Sequence, residues 1–146
     1  MTTKVRAWLL DWPLQTLALA NCEVVEVVES PEIHRVPFGP QWCRALLYWR
    51  ERLLALALPE HVYVHDLHVI VVAYQRAAKT PLDYGALAIC GRPRQVEVED
   101  GHDCEPPFEC VFDQHALRAC FKYEDRVVLV PELSALFGRS KELSAS

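Results

Sequence analysis

The sequence predicts an all-β domain with little helix, on the evidence of two hydrophobic patterns and the turn residues between them. Residues 17–28 and 94–99 alternate apolar and polar side chains, as half-buried strands do. Other runs are almost wholly apolar, which predicts short strands covered on both faces, as in a small closed barrel. These runs are residues 45–49, 53–58, 69–74, 84–89 and 127–130, and prolines and glycines supply the turns between them.

One helix is predicted near the C-terminal end, from Pro131 to Phe137. Proline is favoured in the first turn of a helix, and Gly138 suits the exit. Leu133, Leu136 and Phe137 would share one face of this helix. The minor helical content therefore follows the last predicted strand.

Composition indicates a packed globular protein that needs no cofactor for stability. Apolar residues make up 51% of the 146 residues and charged residues 24%. A chain of this length buries roughly 70% of its unfolded surface without metal or disulfide staples. We expect residues 1–146 to form a single domain, with a core over about residues 14–137 and a polar tail over residues 139–146.

Charge and hydropathy restrict the partner and the compartment. The net charge of -5 disfavours nucleic acid, whose binding depends on basic residues paired with phosphates, so a protein partner is expected. The apolar runs are far shorter than the roughly 20 residues that span a bilayer. The apolar stretch after Lys4 and Arg6 faintly resembles a secretory signal, but Asp11, Pro13 and Gln15 interrupt it. We therefore expect a cytoplasmic protein whose six cysteines, which form no C-x-x-C pair, are reduced and mostly buried.

The order and spacing of these segments resemble the CheW-like coupling domain. Val24-Val25-Glu26-Val27 matches the family's hydrophobic-x-Glu-hydrophobic step, and Pro40-Gln41-Trp42 matches its Pro-x-aromatic turn. Tyr48-Trp49-Arg50-Glu51 matches its Asn-hydrophobic-Arg-Gly hairpin, with only Arg50 agreeing at the polar positions. Tyr84-Gly85-Ala86-Leu87-Ala88 resembles the Gly-hydrophobic-hydrophobic-Val strand. Glu124-Asp125-Arg126 resembles the Gly-Asp-Arg that precedes the last strand and terminal helix.

Several positions depart from the family's pattern and indicate a divergent member. Glu51 stands where the family has a hairpin glycine, and Cys90 stands near its usual aspartate. The remaining departures are Leu58-Pro59 in place of an acidic residue, and Ala119 and Phe121 in place of glycines. These departures affect the expected partners more than the expected fold. In the CheW-like family the partners are a receptor and a kinase, and those of this chain are expected to be unusual.

The resemblance implies a fold of two intertwined, small five-stranded β-barrels, or SH3-like lobes, with a short C-terminal helix. It also implies a non-enzymatic signalling adaptor. Such an adaptor couples the cytoplasmic tip of a methyl-accepting type of chemoreceptor to a CheA-like histidine kinase, in chemotaxis or pilus-linked motility. It uses no cofactor, and it reaches the membrane only through receptor arrays.

By position, the resemblance assigns receptor docking to Val24, Glu26 and Arg50, in a groove between the lobes. An apolar patch with one charge of each sign suits this task, because the apolar area supplies binding energy and the charges set the register. Trp49 joins this partner-binding set, since aromatic residues are frequent at interface hot spots. The alternative is that Val24 and the tryptophans Trp42 and Trp49 belong to the core, and that Glu26 and Arg50 form an ordinary surface ion pair.

A metal-binding or catalytic barrel is the rival function. His61, His65 and His68 have the spacing of one helical face, but the residues between them favour an extended chain, in which His68 points away. A second cluster has metal-ligand types without a common template: His102, Asp103, Cys104, Cys110 and His115. The sequence contains no G-x-S-x-G and no H-E-x-x-H motif. A Cys and His pair brought together by folding stays open.

Overall fold

A computed structural model of the chain describes most of the predicted strands. The described residues are 4–12, 15–36, 45–57, 67–99, 103–105 and 116–137. In chain order, their strands are β1 (Lys4–Asp11), β2 (Thr16–Ala20), β3 (Val24–Val28), β4 (Glu32–Arg35), β5 (Ala45–Trp49), β6 (Arg52–Ala57), β7 (Leu67–Tyr74), β8 (Asp83–Cys90), β9 (Arg94–Glu99), β10 (Leu117–Tyr123) and β11 (Arg126–Pro131). A 3-10 turn, η1 (Asn21–Glu23), joins β2 to β3, and residues 133–137 form the helix α1.

These strands form two sheets, and in chain order all strands of the second sheet come between β2 and β9 of the first. The first sheet has the order β10-β11-β2-β1-β9, and the second has the order β3-β7-β8-β6-β5-β4. The chain therefore starts in the first sheet, builds the whole second sheet, and returns to complete the first. Most neighbours are antiparallel, and each sheet also has one parallel pair, β2 with β11 and β6 with β8.

The two sheets meet in a shared core. Leu10, Leu17 and Leu129 of the first sheet pack with Ile70 and Leu87 of the second, and all five are fully buried. The opposite face of the second sheet has its own core, which contains Leu47, Leu56, Val69, Val71 and Ala86. Because β7 and β8 contribute to both cores, their sequences are apolar at successive positions, as the sequence predicts for strands covered on both faces.

The helix α1 closes the shared core. The Glu132 N–H donates to the Ala116 carbonyl at 2.7 Å, and the Glu132 carbonyl accepts from Ala135 and Leu136 at 3.0 and 2.9 Å. The Phe137 ring stacks on Tyr74, with 5.7 Å between the ring centroids. A Cβ atom on Gly85 would lie only 2.7–2.8 Å from atoms of this ring. Glycine is therefore required at position 85 for the helix to pack on β8.

The predicted fold class is confirmed: the chain is mostly β, with two sheet-based lobes and a short C-terminal helix. The apolar runs and the alternating segment 94–99 all correspond to strands, namely β5, β6, β7, β8, β9 and β11. The second sheet has six strands among the described residues, where the resemblance implies five per lobe, because the short β4 pairs with β5. That residues 1–146 form one domain stays a prediction.

Three local expectations differ from the structure. Residues 17–28 are not one strand, because η1 interrupts them and sends β2 and β3 into different sheets. Pro131 ends β11 opposite Leu117, and the helix begins at residue 133. The core also extends below residue 14, since Leu9 and Leu10 of β1 are buried. The sequence did not predict β1, β4 or β10.

Other expectations fall on residues outside the described ranges. They concern the 40–42 turn, Leu58-Pro59, the Gly138 exit and the tail 139–146. Within the described ranges, no helix is both long and apolar enough to cross a membrane.

We expect Gly85→Ala to lower the free energy of unfolding by about 1–3 kcal/mol, because the added methyl group overlaps the Phe137 ring. Urea unfolding measures the change. Phe137→Leu frees space for that methyl group, so the double variant should lose less stability than the sum of the two single variants. Additive losses would show that the contact between Gly85 and Phe137 is not the constraint.

Candidate functional site

The candidate site lies at the hairpin that joins β5 to β6. Trp49 and Arg52 are directly paired, so Arg50 and Glu51 form a two-residue turn. Both have positive φ, 46° for Arg50 and 63° for Glu51. This backbone corresponds to a type I′ turn, which favours Asn-Gly. The turn is strained for side chains of this kind, at a cost on the order of 1 kcal/mol per residue.

Glu26, Trp49 and Arg50 form one contiguous cluster at this turn. The Trp49 Nε1–H donates to Glu26 Oε2 at 2.5 Å, and Arg50 Nη2 lies 3.7 Å from Glu26 Oε1. The Arg50 guanidinium carbon lies over the Trp49 ring, 4.5 Å from its centroid. The Trp49 ring in turn contacts Tyr84 of β8, with 5.6 Å between centroids. The glutamate and the arginine are thus both held by the same indole.

The cluster exists because the second sheet curls. Glu26 lies on β3 and Trp49 on β5, and β7, β8 and β6 stand between these strands. In a flat sheet, four strand spacings would separate them by roughly 19 Å. A direct side-chain hydrogen bond therefore requires the sheet to curve toward a half-barrel, with Trp49 and Val28 on its inner face. Trp49 is only 8% exposed, so most of the ring belongs to this core.

A β-bulge in β3 separates Val24 from Glu26. Val24 pairs with Val72, whereas Glu26 pairs with Val71, so the register shifts by one residue between them. Residues two apart on a regular strand share a face, but here the bulge directs Val24 to the shared core and Glu26 to the Trp49 side. The structure brings together three of the four predicted site residues, and Val24 lies elsewhere. The docking roles of all four residues stay predictions.

An exposed apolar pair accompanies the turn. Tyr48 and Leu53 are directly opposite each other on β5 and β6, and they are 45% and 60% exposed. They lie on the sheet face opposite to Trp49, because neighbouring residues of a strand alternate in direction. This is the face that, further along β6, carries Ala55 and Ala57 into contact with the shared core. The sequence places both residues in almost wholly apolar runs, and Tyr48 also in the hairpin match, but such runs do not show which apolar residues stay exposed.

The crossover between the sheets is fixed by Glu23. Its Oε1 accepts the Ala20 N–H at 2.8 Å, which closes the η1 turn. Burial raises the pKa of Glu23, and this hydrogen bond together with Arg118 opposes the rise. The hydrogen bond from the Ala20 N–H thus holds Glu23 at the point where the chain passes from β2 to β3.

The predicted metal clusters are only partly described. His68 lies in β7, and its Nδ1 is buried with no hydrogen-bond partner among the described residues, whereas His61 and His65 lie outside those residues. Of the second cluster, only Asp103 and Cys104 are described. Within the described ranges, no three His, Cys, Asp or Glu side chains come together as a metal site.

Comparison with solved structures decides the fold. The crystal structure of the scaffolding protein TtCheW from Thermoanaerobacter tengcongensis matches with a TM-score of 0.71. The match covers 92% of this chain and 93% of that chain, at 15% sequence identity. This chain has the CheW-like fold. No protein-family model and no curated protein matches the sequence.

Within the CheW-like fold, the departures noted in the sequence have structural consequences. Glu51 adopts the positive φ that a hairpin glycine would adopt without strain. Glu124 and Asp125 repeat this arrangement between β10 and β11, with φ of 48° and 63°. Both hairpins therefore keep the turn shape without glycine.

We expect Glu51→Gly to raise the free energy of unfolding by about 1 kcal/mol, because glycine adopts φ of 63° without steric cost. Chemical denaturation measures the gain. Glu51→Ala is the matched control, since it removes the carboxylate and keeps the Cβ atom. An equal gain in both variants would assign the effect to charge and contradict the strain.

We expect Glu26→Gln to change stability by less than about 0.5 kcal/mol, because the amide oxygen still accepts the Trp49 Nε1–H and only an exposed ion pair is lost. Glu26→Ala removes the acceptor and should cost about 1 kcal/mol more. Thermal or urea unfolding of the two variants separates these contributions. Equal losses would mean that the indole does not depend on Glu26.

Proposed function

We propose that this chain is a non-enzymatic signalling adaptor that couples a chemoreceptor to a CheA-like histidine kinase. The support is the CheW-like fold, shared over nearly the full length of a scaffolding protein, together with the cluster of Glu26, Trp49 and Arg50. In this role the chain works in the cytoplasm and reaches the membrane through the receptors that it binds.

The observation that carries the proposal is the presentation of Arg50. Its side chain is 64% exposed, yet the strained turn, the Trp49 ring and Glu26 all restrict its position. A cation held in place before binding loses less conformational freedom on contact with a partner than a mobile one. Arg50 therefore suits a contact that sets the register of a docked protein.

The apolar pair of the same hairpin lies on the opposite face of the sheet and supplies area for a partner that contacts both sides of the turn. Tyr48 and Leu53 lie on the strands that the Arg50 turn connects, and both expose a large part of their side chains. Burying such side chains provides the favourable free energy of association, while the charge at the turn rejects wrong partners. The cytoplasmic tip of a chemoreceptor with an apolar stripe and an acidic residue would match this surface.

The mechanism is the joining of two partners by one rigid domain. An adaptor that binds receptor and kinase at separate surfaces raises the local concentration of each near the other. A conformational change in the receptor then biases the kinase through differential contacts, and no bond is made or broken by the adaptor. The metal-binding or catalytic alternative stays open, because most residues of both predicted clusters lie outside the described ranges.

We expect Arg50→Glu to weaken binding to the receptor's cytoplasmic fragment at least tenfold, equivalent to about 1.4 kcal/mol. The substitution places a second carboxylate beside Glu26 and removes the cation. Pull-down and titration with the purified receptor fragment measure the loss. The thermal midpoint should stay nearly unchanged, because the Arg50 side chain is mostly exposed.

Arg92→Glu is the charge-matched control. Arg92 is exposed between β8 and β9, away from the turn, and its substitution changes the net charge by the same amount. Binding that survives Arg92→Glu and fails with Arg50→Glu supports docking at the turn. Normal receptor binding by Arg50→Glu would contradict the assignment, and failure of the native chain to bind any receptor fragment or kinase would contradict the adaptor role.

A further inference from the structure

A pair of cysteines lies outside the proposed docking surface, at one edge of the first sheet. Residues 103–105 run antiparallel to β10, and Asp103 forms a bridge with Phe121. The Cys104 N–H donates to the Cys120 carbonyl at 3.2 Å. Cys104 and Cys120 are therefore directly opposite each other across two chain segments.

The two sulfur atoms face each other. The Cys104 Sγ lies 3.5 Å from the Cys120 Sγ, and the Cys120 thiol also donates to the Cys104 carbonyl at 2.7 Å. Both cysteines are thiols in this structure. Cys120 is 4% exposed and belongs to the shared core, whereas Cys104 is half-buried and packs against that core from its edge. One thiol is thus reachable from solvent and the other is protected behind it.

The pairing of the two segments and the separation of the two sulfur atoms are compatible with a disulfide. A hydrogen-bonded antiparallel pair has a Cα separation of about 5.5 Å. Disulfides span Cα separations of roughly 4.4–6.8 Å. The sulfur atoms need only approach from 3.5 Å to a bond length of about 2.0 Å, a shift that side-chain rotation supplies.

We propose that Cys104 and Cys120 are a reversible disulfide-forming site that takes up low-molecular-weight disulfides of the glutathione class as oxidants. The Cys104 thiolate attacks one sulfur of the oxidant and releases the first small thiolate, which leaves a mixed disulfide on Cys104. The Cys120 thiolate then attacks the Cys104 sulfur and releases the second. The protein loses two protons and two electrons, and the oxidant is reduced to two thiols.

Forming this disulfide would link residues 103–105 covalently to the outer strand β10. Among the described residues, β10 is an outer strand of the first sheet, and residues 103–105 lie along it. In the thiol state, backbone pairing and the contacts of the two side chains hold this segment. The disulfide would add a covalent link across a loop of 17 residues, counted from Cys104 to Cys120. The bond therefore controls how firmly that edge is protected from other chains.

The test uses the full chain, purified under reducing conditions and equilibrated with mixtures of oxidised and reduced glutathione. We expect the intact mass to fall by two hydrogen atoms, with recovery on reduction. Trypsin leaves Cys104 and Cys110 on one peptide, residues 95–118, and Cys120 on residues 119–122. A second cleavage after Glu109 separates Cys104 from Cys110, so mass mapping identifies the bonded pair.

The variants assign the bond and its effect. Cys104→Ser should abolish the mass loss, and Cys22→Ser, at an exposed cysteine outside the pair, should leave it unchanged. Oxidation of the native chain should raise the thermal midpoint by several degrees and slow amide exchange in residues 103–105 and β10. Cys104→Ser leaves the buried Cys120 in place, so its folding can be verified by its own unfolding curve.

Three results would overturn the proposal. The first is a disulfide between Cys120 and a different cysteine. The second is glutathione that stays attached to Cys104 because Cys120 does not displace it. The third is that both cysteines remain thiols in every mixture of oxidised and reduced glutathione. Because the readouts are mass, stability and exchange, the result does not depend on whether the chain binds a receptor or a kinase.

Discussion

The double-sided burial of β7 and β8 is the constraint on which the rest of the structure depends. These strands carry apolar side chains at successive positions, so neither face of the second sheet tolerates water at its centre. One face is covered by the first sheet and α1. The other face is covered by the curl of the second sheet itself, which brings β3 and β5 close together.

The candidate site is a consequence of that curl. Glu26 and Trp49 come from strands at different places in the sheet, and their hydrogen bond closes the open side of the half-barrel near the β5–β6 turn. The turn then places Arg50 on the outer side of the same indole. Core packing and the presentation of a charged side chain are therefore linked by a single residue, Trp49, which is buried yet contacts both charges.

The structure also contains strained hairpin turns and a partly covered sheet edge. Two hairpins each hold a pair of non-glycine residues at positive φ, in the two-residue β5–β6 and β10–β11 turns, and both keep direct pairing of the flanking strands. At β10, residues 103–105 shield part of an outer strand through a bridge and a pair of facing thiols. Stability in the shared core offsets the local cost of these features.

The sequence by itself determined the strands with strong apolar or alternating patterns, because these depend on local spacing, and the acidic net charge, which depends on composition. The position of the Arg50 hairpin came from the family resemblance. The sequence also carried the resemblance that predicted the CheW-like fold. The tertiary structure decided which strands share a sheet, that η1 divides residues 17–28, and that a bulge turns Val24 and Glu26 to opposite faces. The tertiary structure also decided that Cys104 lies next to Cys120. These features depend on pairing between segments that are distant in sequence. The spacing of apolar residues shows which side chains of a segment are buried, but it does not show which other segment pairs with it.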